Sequence, residues 1–137
     1  MSKMTGACLC GQVKYHCAAE PIMTAVCHCR NCQRQSGTAF SIIIGVPAKS
    51  VVFEGKDNVA EYMDKGESGG VVRRQFCRNC GSPLLSIVES APDLEIIKAG
   101  TLDDHSWLKP TMHFWCDSAQ PWVQIEDAIP RFARSPS

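Results

Sequence analysis

The sequence has no surplus of charge of either sign: 14 Lys and Arg stand against 14 Asp and Glu. Nucleic-acid backbones are held by a basic excess, so no nucleic-acid partner is expected. No apolar run approaches the ~18 residues of a membrane span, so no membrane partner is expected either. Met1 to Thr5 contain no apolar h-region, and no secretory signal is expected. There is no solenoid repeat, no low-complexity tract and no linker-like stretch. What is present is 137 residues at 45% apolar composition, the size and make-up of one globular domain spanning 1–137.

Nine cysteines are the conspicuous feature. In an exported domain they would suggest disulfides. Short spacings without an export signal read instead as metal binding in a reducing, cytoplasmic compartment. The densest stretch is Cys27-His28-Cys29-Arg30-Asn31-Cys32. Thiolate-rich sites select zinc, copper(I) or iron–sulfur clusters, and zinc is expected. Structural zinc is usually closed by four protein ligands, whereas catalytic zinc keeps three and one open position. The stretch is therefore either an open site or half of a closed one.

Two further motifs offer partners. In Gly6-Ala7-Cys8-Leu9-Cys10-Gly11, Cys8 and Cys10 need a tight turn to share a metal, and the flanking glycines permit it. Cys77-Arg78-Asn79-Cys80-Gly81 follows a strand-like run, as zinc knuckles do. A redox pair has the same spacing but opens a helix, and Gly81-Ser82-Pro83 is a poor helix interior. Two divisions are open. Cys29 and Cys32 join Cys77 and Cys80, or Cys8 and Cys10 join them and leave Cys27, Cys29 and Cys32 as a three-sulfur site. The second keeps every close cluster intact.

Val13, Tyr15 and Cys17 alternate with Gln12, Lys14 and His16, which predicts a half-buried strand with Cys17 in the core. Further strands are expected at 22–26, 39–46, 51–53, 59–63, 71–76, 84–88, 94–99, 111–116 and 121–125. The run 39–46 is apolar on both faces and reads as a central strand. After Cys29 a short helix ended by Gly37 would bring Cys32 back toward Cys29, with N–H groups facing the thiolates. Residues 64–70 read as a mobile loop, a lid or a hairpin end, and 131–137 as a loosely held tail. The fold class is mainly β, with loops pinned by metal.

The order Gly-x-Cys-x-Cys-Gly, Cys-His-Cys-x-x-Cys, Phe-Cys-x-x-Cys-Gly, Gly-Thr-Leu-Asp and a late Pro-Trp resembles the glutathione-dependent formaldehyde-activating (GFA) enzyme family, which includes the centromere protein V-like proteins. The match spans about 6–125, the expected core. The resemblance implies a single-domain β-tent fold with two zincs. Cys8, Cys10, Cys77 and Cys80 match the family's structural site, and Cys27, Cys29 and Cys32 its catalytic site. It implies a carbon–sulfur lyase or synthase that condenses glutathione with formaldehyde to S-hydroxymethylglutathione. A related thiol and aldehyde are the broader substrate classes.

Zinc with three thiolates carries a formal charge of −1 and is a weak Lewis acid, which suits binding of a thiol better than activation of water. Arg30, Arg34, Arg73, Arg74 and Arg78 lie around the cysteine motifs and are candidates to pair with glutathione's carboxylates. His113 is the candidate acid–base group, with Asp103 and Asp117 behind it. The rival readings are a non-enzymatic zinc-stabilised module that binds a thiol or a protein, and a redox- or metal-sensing thiol protein.

Overall fold

The alternating run after Gln12 forms a strand as its period predicts. Strand β2 (Lys14–Cys17) buries Tyr15 and Cys17 and exposes Lys14. The structure is a computed structural model that describes residues 4–66, 69–126 and 128–134. β2 is the middle strand of a small antiparallel sheet, between β1 (Met4–Ala7) and β5 (Val51–Glu54). Strand β1 was not expected from the sequence. Four residues with two small side chains carry little periodicity, and the pairing with β2 sets it.

The larger sheet has seven strands. It contains β3 (Met23–Cys27), β4 (Ser41–Pro47), β6 (Val59–Lys65), β7 (Val71–Cys77), β8 (Pro83–Val88), β9 (Leu94–Lys98) and β10 (Met112–Phe114). Their order is β10-β3-β4-β9-β8-β7-β6. Neighbours are antiparallel except β10 and β3, which run parallel with Phe114 opposite Cys27. With the short helix α1 (Arg30–Ser36), this is the mainly β architecture that the sequence predicts. Among the described residues no helix is long and apolar enough to cross a membrane.

β4 lies inside the sheet and is apolar on both faces because each face covers a different core. Ile44 and Val46 pack with Val13, Tyr15 and Leu85 between the two sheets. Ile43 packs on the other side with Ile96 and Phe114, beside Cys27, Cys29 and Cys32. The sheet thus separates a packed interior from the face that carries the candidate site.

Three expectations are corrected. Residues 121–125 form no strand: Pro121 and Trp122 make a turn, and Trp122 is 68% exposed. β10 is shorter than 111–116 because Trp115 adopts φ 59°, which breaks the alternation and turns its side chain to the side of Met112 and Phe114. Residues 131–134 are not a loose tail. They run along β10, with Phe132 N–H donating to His113 O at 2.8 Å and the Phe132 ring 5.7 Å from Phe114. Residues 135–137 lie outside the described residues. The 64–70 segment is a hairpin end joining β6 to β7, closed by Gly66 N–H to Gly70 O at 2.8 Å; residues 67 and 68 lie outside the described residues.

Candidate metal centres

β7 ends at Cys77, and the following turn returns Gly81 N–H to Cys77 O at 2.8 Å. That turn needs the left-handed φ of 81° which Gly81 supplies. The Cys8 turn closes with Cys8 N–H to Val13 O at 3.0 Å. Leu9 N–H donates to Ser82 Oγ at 3.0 Å and ties the two turns together. Sulfur–sulfur distances are 3.6 Å for Cys8–Cys10 and 3.7 Å for Cys10–Cys77. All four sulfurs, Cys80 included, lie within 4.8 Å of one another. Thiolates on one tetrahedral zinc sit about 3.8 Å apart, so the group fits such an ion. Val13 N–H donates to Cys8 Sγ at 3.2 Å. The Cys80 thiol is pushed down to about 5, first by the Ser82 hydroxyl and then by the Ser82 N–H. Both favour thiolate, the ligating form.

The second group is built by β3 and α1. β3 delivers Cys27 at its end. Cys29 caps the helix: Cys32 N–H donates to Cys29 Sγ at 3.2 Å, the N–H···S bond expected from the sequence. Gly37 ends the helix with φ 70°. The sulfurs of Cys27, Cys29 and Cys32 lie within 4.8 Å of one another, all buried. Among the described residues this group has no fourth Cys, His, Asp or Glu. Both groups can therefore hold a metal ion, one with four protein ligands and one with three.

The three sulfurs sit in the wall of a cavity of about 430 Å³. Its apolar lining includes Ile43, Val88, Leu94, Met112, Phe114 and Trp115. Two cations also line it, Arg74 and Lys98, only 5% and 6% exposed. Lys98 Nζ donates to Ser41 Oγ at 3.2 Å, and Arg74 Nε to Asp64 Oδ2 at 2.8 Å. Burial lowers the Lys98 pKa, while the Cys32 charge opposes that shift. For Arg74, burial works against the charge, and the Cys32 thiolate and the Asp64 carboxylate outweigh it. The Cys32 thiol is pushed down to about 2 by hydrogen bonds from Cys27 and Cys29, with Lys98 and Arg74 adding to the shift. Cys27 is pushed up by its hydrogen bond to Cys29. Ser86 also lines the cavity, and among the described residues its buried hydroxyl has no hydrogen-bond partner.

The structure sorts the other candidates by position. Of the five arginines, Arg74 lines the cavity. Arg30, Arg34, Arg73 and Arg78 are exposed and do not; Arg73 pairs with Glu61 at 3.0 Å and Arg30 bonds Gln33. His113 also lies outside the cavity lining. Its Nδ1 is 2.9 Å from Nε2 of His28, which is fully buried, and the two rings stack at 5.2 Å. Burial lowers both histidine pKa values. Asp103 and Asp117 are exposed and outside the lining, and Cys17 is a core residue.

Lys98 and Ser86 were not anticipated, although strand period gives a signal. Lys98 shares a face of β9 with Leu94 and Ile96, and Ser86 shares a face of β8 with Val88. The same alternation puts Arg74, rather than Arg73, beside Val72 on the cavity face.

A family model described as "Glutathione-dependent formaldehyde-activating enzyme" matches residues 3–118. A relative from Penicillium rubens is 24% identical over 112 residues, 73% of this chain and 57% of the relative. One from Aspergillus flavus is 26% identical over 108 residues, 75% of this chain and 55% of the relative. Both carry the name "Putative glutathione-dependent formaldehyde-activating enzyme". The chain thus spans just over half the length of these relatives. A crystal structure of a Rhodobacter sphaeroides protein aligns with a TM-score of 0.60 at 21% identity, covering 78% of this chain and 92% of that one. At that identity the likeness supports the fold.

Proposed function

The chain belongs to the glutathione-dependent formaldehyde-activating enzyme family, and on that premise we propose that it joins a thiol to an aldehyde at the three-sulfur site. The observation that carries this reading is the contrast between the two sulfur groups. One has four ligands; the other has three, in the wall of a cavity large enough for a small substrate. Four ligands suit structural zinc and three suit catalytic zinc. Cys8, Cys10, Cys77 and Cys80 would hold the structural ion, and Cys27, Cys29 and Cys32 the catalytic one. Zinc bound to three thiolates supplies an open position for a soft ligand and favours the deprotonated form of a thiol there.

The chain's own residues supply the rest. Lys98 would balance the negative charge at the sulfurs, and Arg74, paired with Asp64, stands beside it. The apolar walls exclude water, which strengthens those interactions. In the reaction a carbon–sulfur bond forms, the carbonyl π bond opens, and the thiol proton ends on the former carbonyl oxygen. Glutathione and formaldehyde are the pair named for the family, and the addition is reversible, which fits a carbon–sulfur lyase. Nine unpaired cysteines suit a reducing compartment, so a cytoplasmic location is part of this reading.

The test is formaldehyde consumption by the zinc-loaded protein, with glutathione and with a simple aryl thiol. Consumption with at least one thiol should exceed that of the metal-free protein and of Cys29→Ser. Rates equal to both controls with every thiol would leave a zinc-stabilised binding module.

A further inference from the structure

We infer that the cavity takes the body of its substrate as an apolar, uncharged group, so that an alkyl or aryl thiol is preferred over glutathione. This rests on the reading of the three-sulfur site given above and narrows its substrate class.

The walls are the first observation. Away from the sulfurs, the lining is dominated by aliphatic, thioether and aromatic side chains, among them Ile43, Leu94, Ile96, Met112, Phe114 and Trp115. Among the described residues, and apart from the cations Arg74 and Lys98, the polar side chains of the lining are Asn31, Ser86 and Ser90. Asn31 already donates to Asp64 Oδ2 and Lys65 O, both at 3.2 Å.

The charges are the second. Among the described residues the lining has two cations, Arg74 and Lys98, and no carboxylate. Neither cation is spare. Arg74 is paired with Asp64 at 2.8 Å. Lys98 lines the same cavity as Cys27, Cys29 and Cys32, and its Nζ donates to Ser41 Oγ at 3.2 Å. Three thiolates with one divalent cation leave one net negative charge, which Lys98 offsets. Glutathione would bring two carboxylates and an ammonium into a cavity whose charges already cancel. A carboxylate moved from water to an apolar wall without a partner is strongly disfavoured. An alkyl or aryl group loses nothing there and gains from leaving water.

The test separates the body of the ligand from its sulfur chemistry. S-methylglutathione and benzyl methyl sulfide have no thiol, so their binding to the zinc-loaded protein, read by calorimetry, reports the cavity's preference. Benzyl methyl sulfide should bind at least tenfold more tightly. Val88→Lys adds a cation to the lining and should reverse the order; Val72→Lys, opposite it in the strand register, serves if that variant does not fold. Equal or tighter binding of S-methylglutathione, or no binding of benzyl methyl sulfide, overturns the inference. An unchanged order in the folded lysine variant does so too. Formaldehyde consumption is read separately. Consumption with glutathione alone, joined to tighter binding of S-methylglutathione, keeps the carbon–sulfur reading and overturns the inference. Consumption with neither thiol overturns that reading, while binding still decides the preference.

Discussion

Arg74 and Asp64 form an ion pair at 2.8 Å beside the three-sulfur site, with side chains 6% and 19% exposed. The oxygen that Arg74 Nε uses also accepts Asn31 Nδ2 at 3.2 Å. One carboxylate therefore joins the end of β6, the middle of β7 and the helix that carries Cys32. Removing one partner of a fully buried pair costs about 3–5 kcal/mol, because the other charge is left uncompensated. Asp64 keeps some solvent, so Asp64→Asn should destabilise the protein by about 2 kcal/mol in urea denaturation. A change below about 0.5 kcal/mol, the size of an ordinary surface substitution, would contradict a structural role for the pair.

Tyr15 gives a pH dependence. Burial pushes its phenol up to about 12, and its hydroxyl sits 2.7 Å from Thr101 Oγ1. In the unfolded chain tyrosine ionises near pH 10. As pH rises from about 10 to about 12 the unfolded state loses this proton and the folded state keeps it, so stability falls. The loss attributable to Tyr15 should reach about 3 kcal/mol. Tyr15→Phe should flatten this part of the stability profile relative to the parent protein. Parallel profiles above pH 10 would remove Tyr15 as the source.

The cysteine groups were the most legible part of the sequence, because spacing and turn chemistry are local. Gly81 and Gly37 take the left-handed conformations their positions demanded, and the Cys32 N–H reaches Cys29 as a short helix requires. The cavity was much less legible. Its walls come from six strands far apart in the chain, and Lys98 read alone is an ordinary surface residue. It becomes a cavity residue because β9 lies between β4 and β8, with one face toward the sulfurs. His113 invited an acid–base role by residue type, but its strand face directs it to His28. The 121–125 run has strand-forming residues, but among the described residues it pairs with no strand.

The two sulfur groups should respond differently to loss of one ligand. The four-sulfur group ties two turns to the core through buried Cys8 and Cys77. A closed site of this kind contributes folding free energy directly. Cys80→Ser should therefore unfold or strongly destabilise the chain, as read by circular dichroism and thermal melting. Cys29→Ser should leave a folded protein. The reverse pattern, with Cys29→Ser unfolded and Cys80→Ser intact, would assign the structural role to the three-sulfur group.

The chain is expected to hold two metal ions, one closed by four sulfurs and one left open with three. Elemental analysis of zinc per folded chain tests it most directly, on the parent protein beside Cys29→Ser. Two zincs are expected in the parent and one in the variant. One zinc in the parent, with Cys27, Cys29 and Cys32 titrating as three free thiols while the fold is intact, would contradict it.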